Sequence, residues 1–180
     1  MAGEGLGGVL IRKLIESDRE KIKDILADTN NFNEEEIKIA LELIDIYIGD
    51  EEQKDYEIFV DADDQGNELR GYVCIGPRPL TEGTYDLYWI AVNPKVQSKG
   101  LGSGLISFIE DHLKEKKGRL ILIETSGKDS YEKERRFYEK NLYRELVNIK
   151  DFYKIGDSLV VYGKYLGQNA NNADVNDNRG

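Results

Sequence analysis

A strand, a glycine-rich turn and a helix follow one another without a break in the middle of the chain. The strand reads YWIAV, the turn NPKVQSKGLGSG and the helix LISFIEDHL. Glycines at a helix start let the unpaired backbone N–H groups approach an anion closely. The segment therefore predicts a phosphate-binding turn that contains Gly100, Gly102 and Gly104, and Lys95 and Lys99 add positive charge beside it.

Two familiar phosphate-binding patterns do not fit this turn. A dinucleotide fingerprint needs glycine at its first, third and sixth places, and the sixth residue counted from Gly100 is Leu105. A P-loop closes on Gly-Lys-Ser/Thr, whereas Lys99 precedes Gly100 here. An ordinary helix cap remains the alternative for GLGSG taken alone.

Periodicity predicts strands and helices mixed along the whole chain. A first strand covers Val9–Ile15, and the pairs Ser17 with Glu20 and Asn33 with Glu36 have the spacing of capping boxes that start two helices. The strands predicted after these helices cover Tyr56–Val60, Arg70–Ile75, Tyr85–Val92, Leu120–Thr125, Arg144–Phe152 and Leu159–Tyr165, with further helices after Gly100 and over Tyr131–Lys140.

Composition bounds the domain organisation. The composition predicts a flexible start over residues 1–8 and one domain over residues 9–166. The polar run over 167–180 is predicted to be a disordered tail. Hydrophobic residues make up 39% of the chain, and no apolar run approaches the ~20 residues that span a bilayer. The opening residues lack the features of a secretory signal, so we expect a cytoplasmic protein with no membrane partner.

Charge and the scarcity of metal-ligating residues exclude further classes. A formal net charge of -10 argues against a nucleic-acid partner and permits a cationic substrate. Cys74 is the only cysteine and His112 the only histidine, so we predict no metal site. Both residues are interpreted as packed side chains without a catalytic role.

Two segments carry a resemblance to a known family. The run IAVNPKVQSKGLGSGLI resembles the acetyl-coenzyme A motif of the GNAT family of N-acetyltransferases, whose pattern Gln/Arg-x-x-Gly-x-Gly/Ala is matched by Gln97, Gly100 and Gly102. Downstream, ERRFYEKNLY resembles the second motif of the family, in which a tyrosine lies on the helix after the next strand. The similarity covers roughly Glu68 to Tyr165.

The resemblance implies a fold and a coenzyme site. The fold is α/β, with a central, mixed and mostly antiparallel sheet flanked by helices. The pyrophosphate of the coenzyme would lie on the backbone N–H groups of the glycine turn, and the last residues of the preceding strand would pair with the pantetheine arm. The implied coenzyme-binding residues are Ile90, Ala91, Val92, Gln97, Ser98, Lys99, Gly100, Leu101, Gly102, Ser103 and Tyr131.

Acetyl transfer to an amine needs a base and an acid. An alkyl ammonium has a pKa near ~10.4, so a base must remove its proton before the nitrogen can attack. Glu124 ends the strand LILIE, where many family members have a catalytic glutamate, and Asp86 and Glu82 are alternatives that would act through water. The resemblance makes Tyr138 the acid for the leaving thiolate, and backbone N–H groups over Ile90 to Val92 the donors to the oxyanion.

The sequence departs from the family pattern at two positions. Tyr131 stands where many members have an asparagine that holds the pantetheine arm. Leu142 replaces the glycine that usually follows the helix, so we predict that the turn is made with Asn141 in a left-handed conformation.

We therefore interpret the chain as an enzyme that transfers acetyl from acetyl-coenzyme A to a primary amine, either on a small molecule or at a protein N-terminus. A non-catalytic acyl-coenzyme A sensor is the first alternative, and an interaction protein in which the glycine turn is only a helix cap is the second. The sequence does not identify the amine, and it leaves the oligomeric state open, a homodimer included.

Overall fold

The computed structural model describes residues 10–96 and 100–167. The strands are β1 Leu10–Lys13, β2 Glu57–Ala62, β3 Leu69–Pro77, β4 Thr84–Val92, β5 Leu120–Ser126, β6 Arg144–Lys154 and β7 Asp157–Tyr165. The helices are α1 Arg19–Thr29, α2 Glu34–Gly49, α3 Leu101–Glu115 and α4 Glu132–Lys140, with short 3-10 turns before α1 and α4. The flexible start and the polar tail that the sequence predicts lie almost entirely outside the described residues.

The chain forms two compact units. The first takes the residues up to Pro79 together with Asp86–Ile109, and the second takes Leu80–Tyr85 together with the residues from Glu110 onward. In the first unit the strand order is β1-β2-β3-β4, and β2 pairs antiparallel with both β1 and β3. The antiparallel pairing of β2 with β3 makes these two consecutive strands a hairpin.

Helices lie on both faces of the first unit's strands. Ile58 and Val60 on β2 pack with buried side chains of α1 and α2, including Ile22 and Ile44, which have no exposed area. The alternate residue Phe59 instead meets Phe108 of α3, with ring centroids 5.0 Å apart. The period-2 alternation of the strand therefore divides its side chains between two helix layers.

The two predicted capping boxes have different outcomes. The box at Asn33 is confirmed, because its side chain accepts the N–H of Glu36 and the carboxylate of Glu36 accepts the N–H of Asn33. The box at Ser17 is wrong, since α1 begins only at Arg19. The Asp18 carboxylate accepts the N–H of Ile15 at 3.0 Å instead, and so closes the turn before the helix.

In the second unit the strand order is β5-β7-β6, with both pairings antiparallel. Directly opposite residues of an antiparallel pair point to the same face. Glu124, Val161 and Val147 therefore form one row across the three strands. Ile123, Tyr162 and Glu145 form the neighbouring row on the other face.

The turn after α4 differs from the predicted one. Asn141 has an ordinary φ of -89°, and Leu142 itself takes the left-handed conformation with φ 68°. A left-handed φ is the conformation that glycine adopts readily, and here a residue with a side chain adopts it. The Leu142 side chain is 73% exposed, so little burial offsets the strain.

Leu142→Gly is therefore expected to stabilise the protein. Relief of the left-handed strain is worth about 1 kcal/mol, which corresponds to a rise in Tm of about 2–4 °C for a chain of this size. Thermal unfolding followed by circular dichroism measures this shift. Leu142→Ala keeps the strained φ and serves as the control, with little change in Tm, and a glycine variant no more stable than the alanine variant would contradict the account.

Candidate active site

The start of α3 offers an open backbone. Gly100 has φ 89°, and among the described residues nothing beyond the adjoining backbone lies within 4 Å of the position that a Cβ would take at Gly100 or at Gly104. The first turn of α3 contains no acidic side chain, so its positive dipole end is not neutralised locally. Of the predicted cradle, Leu101 is buried and Gly102 and Ser103 are half-buried, whereas Gln97, Ser98 and Lys99 lie outside the described residues.

The end of β4 is anchored to β3. Ala91 is 6% exposed, and Ile90 and Val92 are half-buried. Just beyond the strand, the N–H of Asn93 donates to the carbonyl of Arg70 at 2.8 Å, and the Asn93 side chain donates to the carbonyl of Leu69 at 3.0 Å. The entry to the glycine turn is therefore held in place.

Lys95, predicted to add positive charge beside the glycine turn, forms an ion pair with α1. Its Nζ lies 2.6 Å from a carboxylate oxygen of Asp28 on α1. The ion pair is largely exposed, and exposed pairs of this kind contribute little to stability. A more highly charged partner such as a phosphate could therefore compete for Lys95.

Tyr138, on α4, lies in a cluster of aromatic rings. Its ring centroid is 6.0 Å from that of Tyr162 and 6.5 Å from that of Tyr143, and the residue is 8% exposed. Burial, together with the negative charge of Glu134, raises the pKa of the Tyr138 phenol well above its ordinary value. The hydroxyl therefore carries its proton throughout the range in which an enzyme works.

Glu134 is a residue near this site that the sequence reasoning missed. It lies one helical turn before Tyr138 on α4, so the two side chains share a face of the helix. One of its carboxylate oxygens, Oε2, is buried and has no hydrogen-bond partner within the described part of the chain. The four-residue spacing from Tyr138 was the available signal.

The segment between β5 and α4 is held by polar contacts. The guanidinium of Arg135 donates to the carbonyls of Ser126 and Lys128, each at 2.7 Å. The Ser126 hydroxyl donates to Asp157 at 2.5 Å, and Lys128 forms an ion pair with the same carboxylate at 2.9 Å. Tyr131, predicted to meet the pantetheine arm, ends the 3-10 turn that this segment leads into and is half-buried.

Glu124 and Tyr138 lie on opposite faces of the β5-β7-β6 strands. Tyr138 contacts Tyr162, which shares its row with Ile123. Glu124 shares its row with Val161 on the other face, and its side chain is exposed. A base on one face and an acid on the other suit a reaction in which the two substrates approach from different sides.

The alternative bases are less available. Asp86 forms an ion pair with Arg78 at 2.8 Å and is only 15% exposed. Glu82 lies in an exposed loop, where its backbone carbonyl accepts a hydrogen bond from Arg119 at 2.7 Å. Since an ion-paired carboxylate is a weaker base, Asp86 is the less suitable of these two alternatives.

Cys74 is not suited to act as a nucleophile. Its side chain is 1% exposed, and burial raises the pKa of its thiol to about 12. The thiolate is the reactive form, so this cysteine is unreactive as a nucleophile. His112 is half-buried on α3, and the described residues contain no group of ligating side chains that could hold a metal ion.

The residues fit acetyl-coenzyme A as a co-substrate. The glycine positions at the start of α3 leave room for a phosphate against the backbone, and nothing acidic in that turn repels it. Fold and site together therefore define an acyltransferase. The family model for the acetyltransferase (GNAT) family matches residues 19–142, and the chain belongs to that family.

Solved structures agree with this assignment. A GNAT-family structure from Desulfovibrio desulfuricans superposes with a TM-score of 0.81 at 35% identity, covering 88% of this chain and 99% of its own. An aminoglycoside 6'-N-acetyltransferase complexed with coenzyme A has a TM-score of 0.66 at 16% identity, covering 89% and 98%. The ribosomal-protein-S18-alanine N-acetyltransferase from Escherichia coli has a TM-score of 0.60 at 14% identity, covering 92% and 98%.

These likenesses confirm the predicted fold and class. The chain is an acetyltransferase with the α/β GNAT fold of strands flanked by helices, and members of this family use acetyl-coenzyme A. Comparison with curated proteins gives no significant match. Within the described residues, every helix is too short or too polar to cross a membrane.

Proposed function

We propose that this enzyme transfers acetyl from acetyl-coenzyme A to a primary amine, with Glu124 as base and Tyr138 as acid. The observation that carries the proposal is the placement of these two groups on opposite faces of one set of strands. The buried phenol keeps its proton until a thiolate forms. The exposed carboxylate can meet an ammonium from solution.

The proton transfers follow from these positions. Acetyl-coenzyme A supplies the thioester and the sulfur that leaves with the bonding electrons. Glu124 takes one proton from the ammonium, which frees the nitrogen lone pair for attack. While the N–C bond forms and the C–S bond breaks, Tyr138 donates its hydroxyl proton to the sulfur. The nitrogen then gives up a second proton, which restores the phenol through water, so one net proton is released per acetyl group.

Other residues support the site without moving protons. The backbone N–H groups from Gly100 to Ser103 would bind the pyrophosphate, and Gln97, Ser98 and Lys99 belong to the same predicted cradle. The N–H groups of Ile90 to Val92 remain the predicted oxyanion donors. A single domain over residues 9–166 and a cytoplasmic location remain part of the proposal, and the oligomeric state stays open, a homodimer included.

Titration calorimetry with acetyl-coenzyme A is the first test. We expect binding at least about tenfold tighter than for S-acetylpantetheine, which lacks the pyrophosphate and the adenosine 3'-phosphate joined to it, because phosphate binding at the glycine turn should itself supply more than ~1.4 kcal/mol. Thiol release is then measured over a panel of primary amines. Equal affinity for the two thioesters would refute the phosphate cradle, and tight binding without turnover on any amine would favour the sensor alternative.

Glu124→Gln is expected to lower kcat/KM for an amine about tenfold at pH 7. The loss should shrink as the pH rises toward the pKa of the amine, near ~10.4, because solution then supplies the neutral nucleophile. The measurement is a pH series of initial rates for both proteins. Glu145→Gln, an exposed carboxylate on the opposite face, is the matched control, and a loss independent of pH would count against a base at position 124.

A further inference from the structure

One face of the second unit's strands is apolar and uncovered by that unit's helices. It comprises Leu122 and Glu124 on β5, Leu159 and Val161 on β7, and Leu146, Val147 and Ile149 on β6, and is called the open face below. Its β6 edge is exposed, with Val147 at 44% and Ile149 at 45%, whereas Leu159 is 6% exposed.

Leu146 belongs to this face despite the bulge in β6. The register of β6 against β7 slips between Glu145 and Val147, which leaves Leu146 without a partner of its own. A Cβ added at Gly163 would meet the side chains of both Leu146 and Leu122. Since Gly163 is paired with Leu122, all three positions lie on the same side of the strands.

We propose that the open face binds the body of the acceptor amine, and that this body is apolar or aromatic. The inference rests on the proposed function, because it places the acceptor nitrogen at Glu124. Neighbouring strands lie about 4.8 Å apart, so Val147 is two strand spacings, roughly 10 Å, from Glu124 along their shared row. A nitrogen at Glu124 with a short hydrocarbon or aryl group would lie over Val161 and Val147.

Tyr153 lies on β6 beyond Ile149, in the irregular stretch where β6 slips against β7, and its side chain is 50% exposed. Burial, followed by the charges of Glu124 and Asp157, raises the pKa of its phenol. The proposed acceptor surface includes its ring. An aromatic ring there offers both an apolar edge and a π-face for a cation.

The charges around the open face disfavour a polycationic acceptor. Glu124 is its only carboxylate among the residues that define it. Gly163 pairs with Leu122 on one side and with Arg144 on the other, so Arg144 ends the row that begins at Leu122. Asp157, a further carboxylate near this surface, is already paired with Lys128. A second ammonium on the acceptor would therefore meet apolar side chains, a guanidinium or an occupied carboxylate, and burying such a charge without a partner is costly.

The test compares two primary amines of the same chain length. With acetyl-coenzyme A saturating, kcat/KM for 2-phenylethylamine is expected to exceed that for ethanolamine at least about tenfold, since apolar contacts of this size discriminate by that order. Tyr153→Ser should reduce the ratio about tenfold, and Val147→Ser at least about threefold. Tyr153→Phe should retain the ratio, because the ring is kept.

Ile155→Ser is the matched control. Ile155 lies in the turn beside Gly156, is 94% exposed and is outside the open face, so the same kind of substitution should leave the ratio unchanged. Peptides that begin with Phe or with Ser form a second arm. Turnover of the Phe peptide but not of 2-phenylethylamine identifies a protein N-terminus as the source of the apolar amine.

Three results would overturn the inference while leaving the proposed function intact: equal kcat/KM for both amines, a preference for spermidine, or variants that do not change the ratio. Light scattering is measured on each variant. If Val147→Ser turns a dimer into a monomer without changing the ratio, the open face is covered by a second copy and the inference fails. If none of the amines tested supports thiol release, the proposed function is refuted, and this inference with it.

Discussion

Tyr138→Phe is expected to lower kcat about 10²–10³-fold while the affinity for acetyl-coenzyme A changes little, because a positioned general acid contributes a factor of this size. Phenylalanine keeps the ring and its contacts with Tyr143 and Tyr162, so only the proton donor is lost. Steady-state rates and calorimetry on the same preparation separate the chemical step from binding.

The pH profile adds a second readout. Burial and the charge of Glu134 raise the pKa of the Tyr138 phenol. An acid is active in its protonated form, so activity would fall as the pH rises through that pKa, and the upward shift moves the fall out of the usual assay range. We expect no alkaline loss of kcat below about pH 10, where an unperturbed phenol would begin to ionise.

Tyr162→Phe is the matched control for Tyr138→Phe. The Tyr162 phenol belongs to the same aromatic cluster and donates to Glu139 at 2.9 Å. Its loss removes one hydrogen bond, worth about 1 kcal/mol of stability, but no proposed step of the reaction. If both variants lose the same activity, the effect comes from the packing of the cluster and Tyr138 is not the acid.

Asp18→Ala should destabilise the protein by about 3 kcal/mol, because removing one partner of a buried ion pair leaves the other without compensation. The Asp18 carboxylate has no exposed area and accepts two hydrogen bonds from the Arg12 guanidinium, at 2.6 and 3.0 Å. Urea unfolding should show the loss as a lower midpoint with an unchanged slope.

The same pair gives stability a pH dependence. Burial alone would raise the pKa of Asp18, but hydrogen bonds from Arg12 and Ile15 more than offset this and hold it below the ordinary value. A depressed carboxyl pKa contributes stability above the unfolded value, near ~3.9, and that contribution is lost as the pH falls through the folded value. The difference in the free energy of unfolding between the wild type and Asp18→Ala should therefore become smaller below about pH 4.

Asp45→Ala is the surface comparison. Asp45 also forms a two-point contact with an arginine, Arg19, at 2.5 and 2.8 Å, but its side chain is 51% exposed. We expect a loss of less than about 1 kcal/mol, as for other exposed pairs. Equal losses for Asp18 and Asp45 would show that burial does not govern the strength of these pairs.

Features encoded by neighbouring residues could be predicted from the sequence. The Asn33 capping box and the glycine turn before α3 each depend on a few consecutive residues whose chemistry fixes the local backbone. Tyr138 was predicted only through the family motif. Nothing in its own spacing distinguishes a proton donor from a packed aromatic ring.

Features that depend on distant partners could not be predicted. Asp18 was not recognised as a buried ion-pair partner. Asp18 directly precedes α1, whereas the guanidinium that pairs with it belongs to Arg12 on β1. The rule that only glycine or asparagine takes the left-handed position led to Asn141, whereas Leu142 takes it and the N–H of Tyr143 then donates to the carbonyl of Tyr138 at 3.0 Å. The open face required the register of three strands, and the β6 bulge that brings Leu146 onto it has no sequence signal.

The placement of Glu124 and Tyr138 on opposite sides of the strands also constrains the order of events. If acceptor and donor occupy separate sides, neither must leave before the other enters, and the acetyl group passes between them without resting on the protein. The only cysteine is too buried to carry it. Initial-rate plots at several fixed concentrations of each substrate should therefore give intersecting lines, and a mass spectrum of the enzyme taken during turnover should show no acetylated form.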